Sequence, residues 1–257
     1  MRDLISFLTQ IPVGMDIKIE AVTAQSYLFP CVGLVIGLPV AMVAFLMFGY
    51  LHVAPEIAAL LTLLALYLVT GLIHLDGLAD FFDGLMAPGS KSDKVRAMKD
   101  NNLGTAGLFA TIFVLLISLF AIEIIGADLA AAAFGFNFVS FYTFASVFIL
   151  AEVSAKLSMN TCMVLGKGFE GHEGLGALFI QSSSPRKYLA ALLSAVLIAF
   201  LFTISVPFRS LIVLTGIVVA CLVSSIAKRK LDVMTGDIMG ASNELARSAT
   251  LLLWALL

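Results

Sequence analysis

Apolar and polar residues alternate in long blocks along the chain. The apolar runs are about 20 residues long, the length that a helix needs to cross a hydrocarbon layer roughly 30 Å thick. They lack the every-second-residue pattern of a barrel strand, so each run is predicted to be a helix with its backbone hydrogen bonds satisfied internally. The fold class predicted is all-α, a polytopic integral membrane bundle of about 6–7 transmembrane helices. The predicted spans are 27–51, 55–75, 104–126, 137–163, 187–206, 209–227 and 237–257.

Positively charged residues indicate how this bundle is oriented. With a cytoplasmic N-terminus, the internal segments and the span ends next to them hold twelve Lys and Arg residues, whereas the external side holds one, Arg209, at the start of the sixth span. Cytoplasmic loops carry such an excess, so we expect a multi-pass protein of the cell membrane whose N-terminal segment, 1–26, and active site are cytoplasmic. Residues 1–257 are predicted to form a single membrane-embedded catalytic domain. The twelve internal residues are Arg2, Lys18, Lys91, Lys94, Arg96, Lys99, Lys167, Arg186, Lys187, Lys228, Arg229 and Lys230.

The composition supports a membrane protein and excludes several functional classes. Hydrophobic residues make up 61% of the 257-residue chain and charged residues 12%, whereas a soluble domain has about 25% charged residues. The mean hydropathy is +1.07. A formal net charge of −2 gives no basis for a nucleic-acid partner. Three cysteines, Cys31, Cys162 and Cys221, are too far apart for a metal-binding spacing or a disulfide framework.

The most informative polar stretch is GLIHLDGLADFFDGL, residues 71–85. If this stretch is helical, Asp76, Asp80 and Asp83 are spaced by four and three residues and share one face. Three clustered carboxylates repel each other, and a divalent cation would neutralise them. Oxygen ligands favour Mg²⁺ or Mn²⁺ over zinc, so the stretch predicts a metal site. The alternative is a solvated acidic loop at the membrane surface.

Four positively charged residues follow the aspartates at a short distance along the chain. Cations beside an acidic metal site suit a phosphorylated substrate, because they offset phosphate charge that the metal leaves unpaired. The alternative is that they only set the membrane orientation. Asn102 lies in the polar turn before the third span, as either a substrate contact or a helix cap. The four candidate phosphate contacts are Lys91, Lys94, Arg96 and Lys99.

A second polar group begins the last predicted span, in the segment TGDIMGASNEL. Asp237 and Glu244 are seven residues apart and so lie on one helical face, with Asn243 beside them. Polar residues at membrane depth usually face a partner or a cavity. Asp237 is therefore a candidate metal ligand, although it could simply cap the helix, and Asn243 and Glu244 are candidate substrate contacts. In the fourth span, Glu152 and Lys156 have the spacing of an intrahelical ion pair.

Five segments spread over nearly the whole chain are similar to one known family. They are FLTQIPVG (7–14), FPCVGLVIG (29–37), HLDGLADFFDGL (74–85), MKDNNLGTAG (98–107) and TGDIMGASNEL (235–245). On these motifs the chain resembles the cobalamin synthases, also called adenosylcobinamide-GDP ribazoletransferases. The resemblance implies a Mg²⁺-dependent membrane phosphotransferase. Such an enzyme joins α-ribazole, or its 5′-phosphate, to adenosylcobinamide-GDP, releases GMP and completes the nucleotide loop of adenosylcobalamin.

Residue chemistry and resemblance together predict a site for phosphoryl-type transfer. The predicted catalytic and metal-binding residues are Asp76, Asp80, Asp83 and Asp237, which would hold Mg²⁺ against the diphosphate of the activated corrinoid. Asp83 is also a candidate acceptor for the proton of a hydroxyl nucleophile. The predicted partners are the two small-molecule substrates and the lipid bilayer, without nucleic acid, and a homo-oligomer is compatible with the sequence.

Two other functions stay open on the sequence alone. An ion-coupled secondary transporter would use Asp76, Glu152, Asp237 and Glu244 as an ion pathway, although no internal repeat of the kind common in transporters is evident. A non-catalytic membrane scaffold for the same pathway would tolerate alanine at all three aspartates of residues 71–85.

Overall fold

The fold is built almost entirely from α-helices. The computed structural model describes residues 1–14, 16–132, 138–172 and 174–257. Two strands of two residues each, β1 (Gly171–His172) and β2 (Val233–Met234), pair in parallel. The helices are α1 (Arg2–Leu8), α2 (Ile19–Ala24), α3 (Phe29–Ala44), α4 (Pro55–Thr70), α5 (Ile73–Met86), α6 (Lys91–Met98), α7 (Thr105–Ala132), α8 (Phe138–Gly166), α9 (Gly174–Ser182), α10 (Pro185–Phe202), α11 (Thr215–Lys230) and α12 (Gly236–Leu256).

Within the described ranges, five helical segments are long and apolar enough to cross a membrane. Short 3-10 and π-helical segments next to α3 and α11 lengthen two of them. The pair α4 and α5 gives a sixth span if the two helices are counted together. This confirms the predicted all-α polytopic membrane bundle. The five segments are Ser26–Tyr50, Thr105–Ala132, Phe138–Gly166, Pro185–Phe202 and Pro207–Lys230.

The outer surface of the bundle carries apolar side chains. On α7, Phe109, Phe113, Leu116 and Phe120 are 41–68% exposed. They recur every three or four residues, so they form one stripe along the helix. A helix facing water would place polar residues on that stripe, so the pattern indicates contact with lipid.

Helix α8 occupies the centre of the bundle, and most of its residues are buried. Glycines of α3 let that helix approach closely, because a Cβ atom at Gly33 would lie 2.8 Å from the Glu152 carbonyl oxygen and one at Gly37 would lie 2.6 Å from Ile149 Cα. Helices α10, α11 and α12 also pack on α8. Glu152 and Lys156 lie on this enclosed helix. Both must pair with other polar groups, since burying an unpaired charge has a large cost in free energy.

The second predicted span, 55–75, is divided in two. Helix α4 ends at Thr70, and the axis of α5 is turned by 94° from that of α4. Gly71 makes the turn with φ +71° and ψ −172°, a conformation essentially confined to glycine. The apolar run continues through the turn, so hydropathy alone gives no sign of it. As a result the three aspartates of this region lie on a helix of their own, α5.

The seventh predicted span, 237–257, corresponds to α12, which is an interior helix. It is not among the segments that are apolar enough to cross a membrane by composition, and it packs against α5, α7, α8 and α11. Its residues Asn243, Glu244 and Arg247 are at most 1% exposed. The polar groups of α12 therefore face neighbouring helices and are shielded from lipid.

Replacing Gly71 with alanine should destabilise the protein by about 1–3 kcal/mol, the range for an L-residue held in a glycine-only conformation. The added Cβ would also lie 2.6 Å from the side-chain nitrogen of Gln10. Thermal unfolding of the purified protein in detergent measures the effect. The control is Gly168→Ala, where the new Cβ would be in ordinary contact, 3.5 Å from the Leu165 carbonyl oxygen. Equal unfolding midpoints for the two variants would contradict this account of the bend.

Candidate active site at the crossing of α5 and α12

Helices α5 and α12 cross with their backbones almost in contact. A Cβ atom at Gly77 would lie 2.9 Å from both the Cα and the carbonyl oxygen of Asp237. On the other helix, a Cβ atom at Gly240 would lie 3.2 Å from the Cα of His74. A larger residue at Gly77 would meet backbone atoms and force the helices apart. The crossing therefore holds the acidic face of α5 beside the first turn of α12.

The crossing gathers carboxylates from both helices. Asp80 interacts electrostatically with Asp76, Asp83 and Asp237, and Asp237 also interacts with Asp76. Asp76 is exposed, whereas Asp80, Asp83 and Asp237 are partly buried. Thr235 fixes the start of α12, because its hydroxyl accepts a first-turn amide at 3.4 Å and donates to Asp237 Oδ2 at 3.2 Å. The structure thus brings together the four aspartates that the sequence singled out.

Asp83 differs from the other three because both of its carboxylate oxygens are engaged. One accepts a hydrogen bond from the Gly104 amide and the other from the Gly107 amide, each at 2.8 Å. These amides lie at the start of α7, where backbone N–H groups lack helical partners and a negative charge is favourable. Asp83 therefore joins α5 to α7. Its roles as metal ligand and proton acceptor stay predictions.

The aspartates do not form a preassembled metal cage. Among the described residues, no group of three or more His, Cys, Asp or Glu side chains is arranged to hold a metal ion. This arrangement is still compatible with Mg²⁺, which keeps several waters and commonly takes one or two protein carboxylates together with substrate phosphates. Asp76, Asp80 and Asp237 supply oxygen ligands of that kind. Binding of Mg²⁺ by these residues stays a prediction.

Two of the four predicted phosphate contacts bind other parts of the protein. Lys94 donates hydrogen bonds to two main-chain carbonyl oxygens near the C-terminal end of α5, where a positive charge is favourable. Lys91 donates to Asp232 Oδ2 at 3.1 Å, and Lys228 donates to Asp232 Oδ1 at 2.5 Å. These two bonds hold the pKa of the Asp232 carboxyl below its usual range. Lys91 and Lys94 therefore fix α6 against α5 and against the loop before α12.

Lys99 lies beside the acidic site. It lines a cavity next to the crossing and interacts electrostatically with Asp237. Arg96 is exposed, and its nearest acidic partner on α6 is 3.7 Å away, which is typical of a weak surface pair. Asn102 donates to Asp100 from its backbone at 3.0 Å and from its side chain at 2.8 Å, so it shapes the turn before α7. Among these predicted substrate contacts, Lys99 is the best placed for a phosphate.

Further along α12, four charged side chains form a buried network with α8. Arg247 donates to Glu244 at 2.5 and 2.6 Å and to Glu152 through Nε. Lys156 lies 3.6 Å from Glu152 and donates a hydrogen bond to Asn243 at 2.7 Å. All five residues are at most 1% exposed. Two positive and two negative charges balance, so the network places no net charge in the interior.

Tyr67 extends this network to α4, since its hydroxyl donates to Glu244 at 2.8 Å. The network therefore ties α12 to α4 and α8, and the ion pair predicted between Glu152 and Lys156 is confirmed. Asn243 and Glu244 make helix-to-helix contacts here, and their contacts with a substrate stay predictions. Sequence spacing missed Tyr67, because nothing in the linear pattern relates a tyrosine of α4 to a glutamate of α12.

A cavity of about 400 Å³ adjoins the crossing. Asp237 and Lys99 line it together with His74 of α5, and residues of α1, α8 and α9 complete its walls. Its volume is within the range of small-molecule binding sites. The cavity leaves no sign in the sequence, because its walls come from segments that are far apart in the chain. Phe7, in the first motif of the family resemblance, is the one wall residue of α1.

Comparison with known proteins places the chain in a family. A family model described as cobalamin-5-phosphate synthase matches residues 1–255. The chain belongs to this family. A relative from Thermococcus kodakarensis, named adenosylcobinamide-GDP ribazoletransferase, is 33% identical over 260 residues, which cover 100% of this chain and 98% of the relative.

Two further relatives carry the same name. One, from Methanococcoides burtonii, is 34% identical over 253 residues, covering 98% of this chain and 90% of the relative. The other, from Pyrococcus abyssi, is 33% identical over 254 residues, covering 98% and 96%. No solved structure matches the chain. The family therefore extends over the crossing, the buried network and the cavity.

Replacing Arg247 with methionine should destabilise the protein by about 3–5 kcal/mol, because it leaves Glu152 and Glu244 buried with too little counter-charge. Thermal unfolding in detergent measures the change. Arg96→Met is the matched control, and a change within about 0.5 kcal/mol is expected for a surface position. Adding Glu152→Gln to Arg247→Met should recover part of the loss by removing one unpaired charge. Equal stability of the two single variants would show that the network does not hold α12.

Proposed function

We propose that the protein is a membrane-bound adenosylcobinamide-GDP ribazoletransferase. It joins α-ribazole, or its 5′-phosphate, to adenosylcobinamide-GDP, releases GMP and completes the nucleotide loop of adenosylcobalamin. The family match over residues 1–255 and the names of relatives that align over almost their whole length support this assignment. The structural observation that carries it is the crossing of α5 and α12, which unites the carboxylates of two distant sequence motifs.

The proposed reaction replaces one bond to phosphorus with another. A ribose hydroxyl oxygen of the ribazole bonds to the phosphorus that carries the cobinamide. The bond from that phosphorus to the bridging oxygen breaks, and GMP leaves with the electron pair. The hydroxyl proton passes to a carboxylate of the protein. Catalysis of such a transfer rests mainly on positioning and on neutralising charge, which is what clustered carboxylates and a nearby lysine can provide.

The residues at the crossing would have different roles in this reaction. Asp76, Asp80 and Asp237 would hold Mg²⁺, which when bound supplies positive charge to the diphosphate. Lys99, at the wall of the adjoining cavity, would donate to a phosphate oxygen. Asp76 and Asp80 are better proton acceptors than Asp83, because both oxygens of Asp83 accept backbone amides.

The location proposed for this site is the cytoplasmic face of the cell membrane. Lys91, after α5, and Lys228, at the end of α11, both bind Asp232, so these two connections meet at one end of the bundle. Both connections are rich in Lys and Arg. That enrichment is typical of cytoplasmic segments, which supports the orientation expected from the sequence.

An ion-coupled transporter is less well supported by the buried charges. It would use Glu152 and Glu244 as ion sites, yet Arg247 binds both. An ion would have to displace these contacts and leave a buried guanidinium without its partners, which is unfavourable. Of the four residues of that ion pathway, Asp76 is exposed and Asp237 is partly buried. Both lie at the crossing, where a phosphorylated substrate could reach them.

Asp80→Asn should lower the rate of GMP formation from adenosylcobinamide-GDP and α-ribazole by about 100-fold or more, the scale on which one electrostatic group in an active site acts. The change is nearly isosteric, so the fold should persist. Chromatographic detection of GMP, with purified protein and Mg²⁺, measures the rate. Asp128→Asn, an exposed carboxylate at the far end of α7, is the control and should keep the wild-type rate. An Asp80→Asn rate within a few-fold of wild type would exclude this site.

A further inference from the structure

The cavity beside the crossing has mostly apolar walls and a cluster of polar residues. Its apolar walls come from α1, α5, α8, α9 and α12. In the polar cluster, Thr235 donates a hydrogen bond to Asp237, and Lys99 interacts electrostatically with Asp237. Aromatic rings and methionine side chains adapt well to a flat aromatic ligand. The apolar wall residues include Phe7, Met159, Met163, Leu175, Phe179 and Met239.

We propose that this cavity binds the benzimidazole base of α-ribazole. The proposal rests on the proposed function and adds to it the binding site of the nucleophilic substrate. The benzimidazole of α-ribazole has a flat, methylated, apolar body, and one of its two nitrogens is bonded to the ribose. It therefore has a single free polar ring atom to be accommodated among the apolar walls.

Size and polarity distinguish this ligand from the other parts of the substrates. A cavity of about 400 Å³ suits a nucleoside, whereas a corrin ring with its amide side chains is several times larger. Guanine is similar in size to benzimidazole, but its edge carries several donors and acceptors. Apolar walls of Met, Phe and Leu side chains would leave most of them unpaired, which is unfavourable.

The polar cluster of the cavity fits the remainder of the nucleoside. With the base among the apolar walls, the ribose lies toward Asp237, and its hydroxyl groups come near the carboxylates at the crossing. Lys99, in the same cluster, is placed to contact the 5′-phosphate of the phosphorylated form. The cavity would thus present the nucleophile to the diphosphate from the α12 side of the crossing.

A pair of tryptophan variants on α9 tests the location. Leu175 lines the cavity and is 46% exposed, and Leu178, on the same helix, is 44% exposed and lies outside that cavity. Leu175→Trp should weaken the binding of radiolabelled α-ribazole in equilibrium dialysis by about 10-fold or more, because the indole fills the space of the base. It should leave the binding of adenosylcobinamide-GDP within about two-fold. Leu178→Trp should change neither.

The results also separate this inference from the proposed function. Unchanged α-ribazole binding in Leu175→Trp, or weakened binding of adenosylcobinamide-GDP alone, would overturn the location of the base. In the second case the cavity would hold guanine or another part of the corrinoid substrate. Failure of the proposed function has a different signature, which is the lack of GMP formation by the wild-type protein with both substrates and Mg²⁺.

Discussion

The close approach of α5 and α12 at Gly77 is the constraint on which the candidate site depends. Without a Cβ atom at this position, the backbone of α5 lies directly against that of Asp237. That contact turns two acidic segments separated by about 150 residues of chain into one group of carboxylates. The same crossing sets His74 against Gly240, so one wall of the adjoining cavity is fixed by the same two backbones.

Two other features of the fold keep this crossing in place. Gly71 turns α5 away from α4 by 94°. Because of this turn, the aspartates of α5 do not continue along the axis of α4 but lie beside the start of α12. The neutral network around Arg247 then holds α12 against α8 and α4. Breaking a buried network of this kind is strongly destabilising. The buried charges of the network pair with one another. The carboxylates at the crossing are therefore not needed as their counter-charges and can stay accessible.

The sequence predicted those parts of the fold that depend on local pattern. The length of the apolar runs predicted the all-α membrane bundle. Helical spacing predicted that Asp76, Asp80 and Asp83 share a face and that Glu152 pairs with Lys156. It could not predict the turn at Gly71, because hydropathy does not report backbone angles. The amide contacts of Asp83 and the cavity walls depend on distances between remote segments, so no linear spacing contains them.

A graded series of glycine variants tests the crossing most directly, with GMP formation as the measurement and size-exclusion chromatography as the check on folding. Gly77→Ala should lower the rate by about 100-fold, since a shift of about 1 Å between reacting groups has that effect. Gly240→Ala should lower it less, because its Cβ would be 3.2 Å from the nearest backbone atom and not 2.9 Å. Gly168→Ala should keep the wild-type rate. Wild-type rates in folded Gly77→Ala and Gly240→Ala proteins would contradict the account.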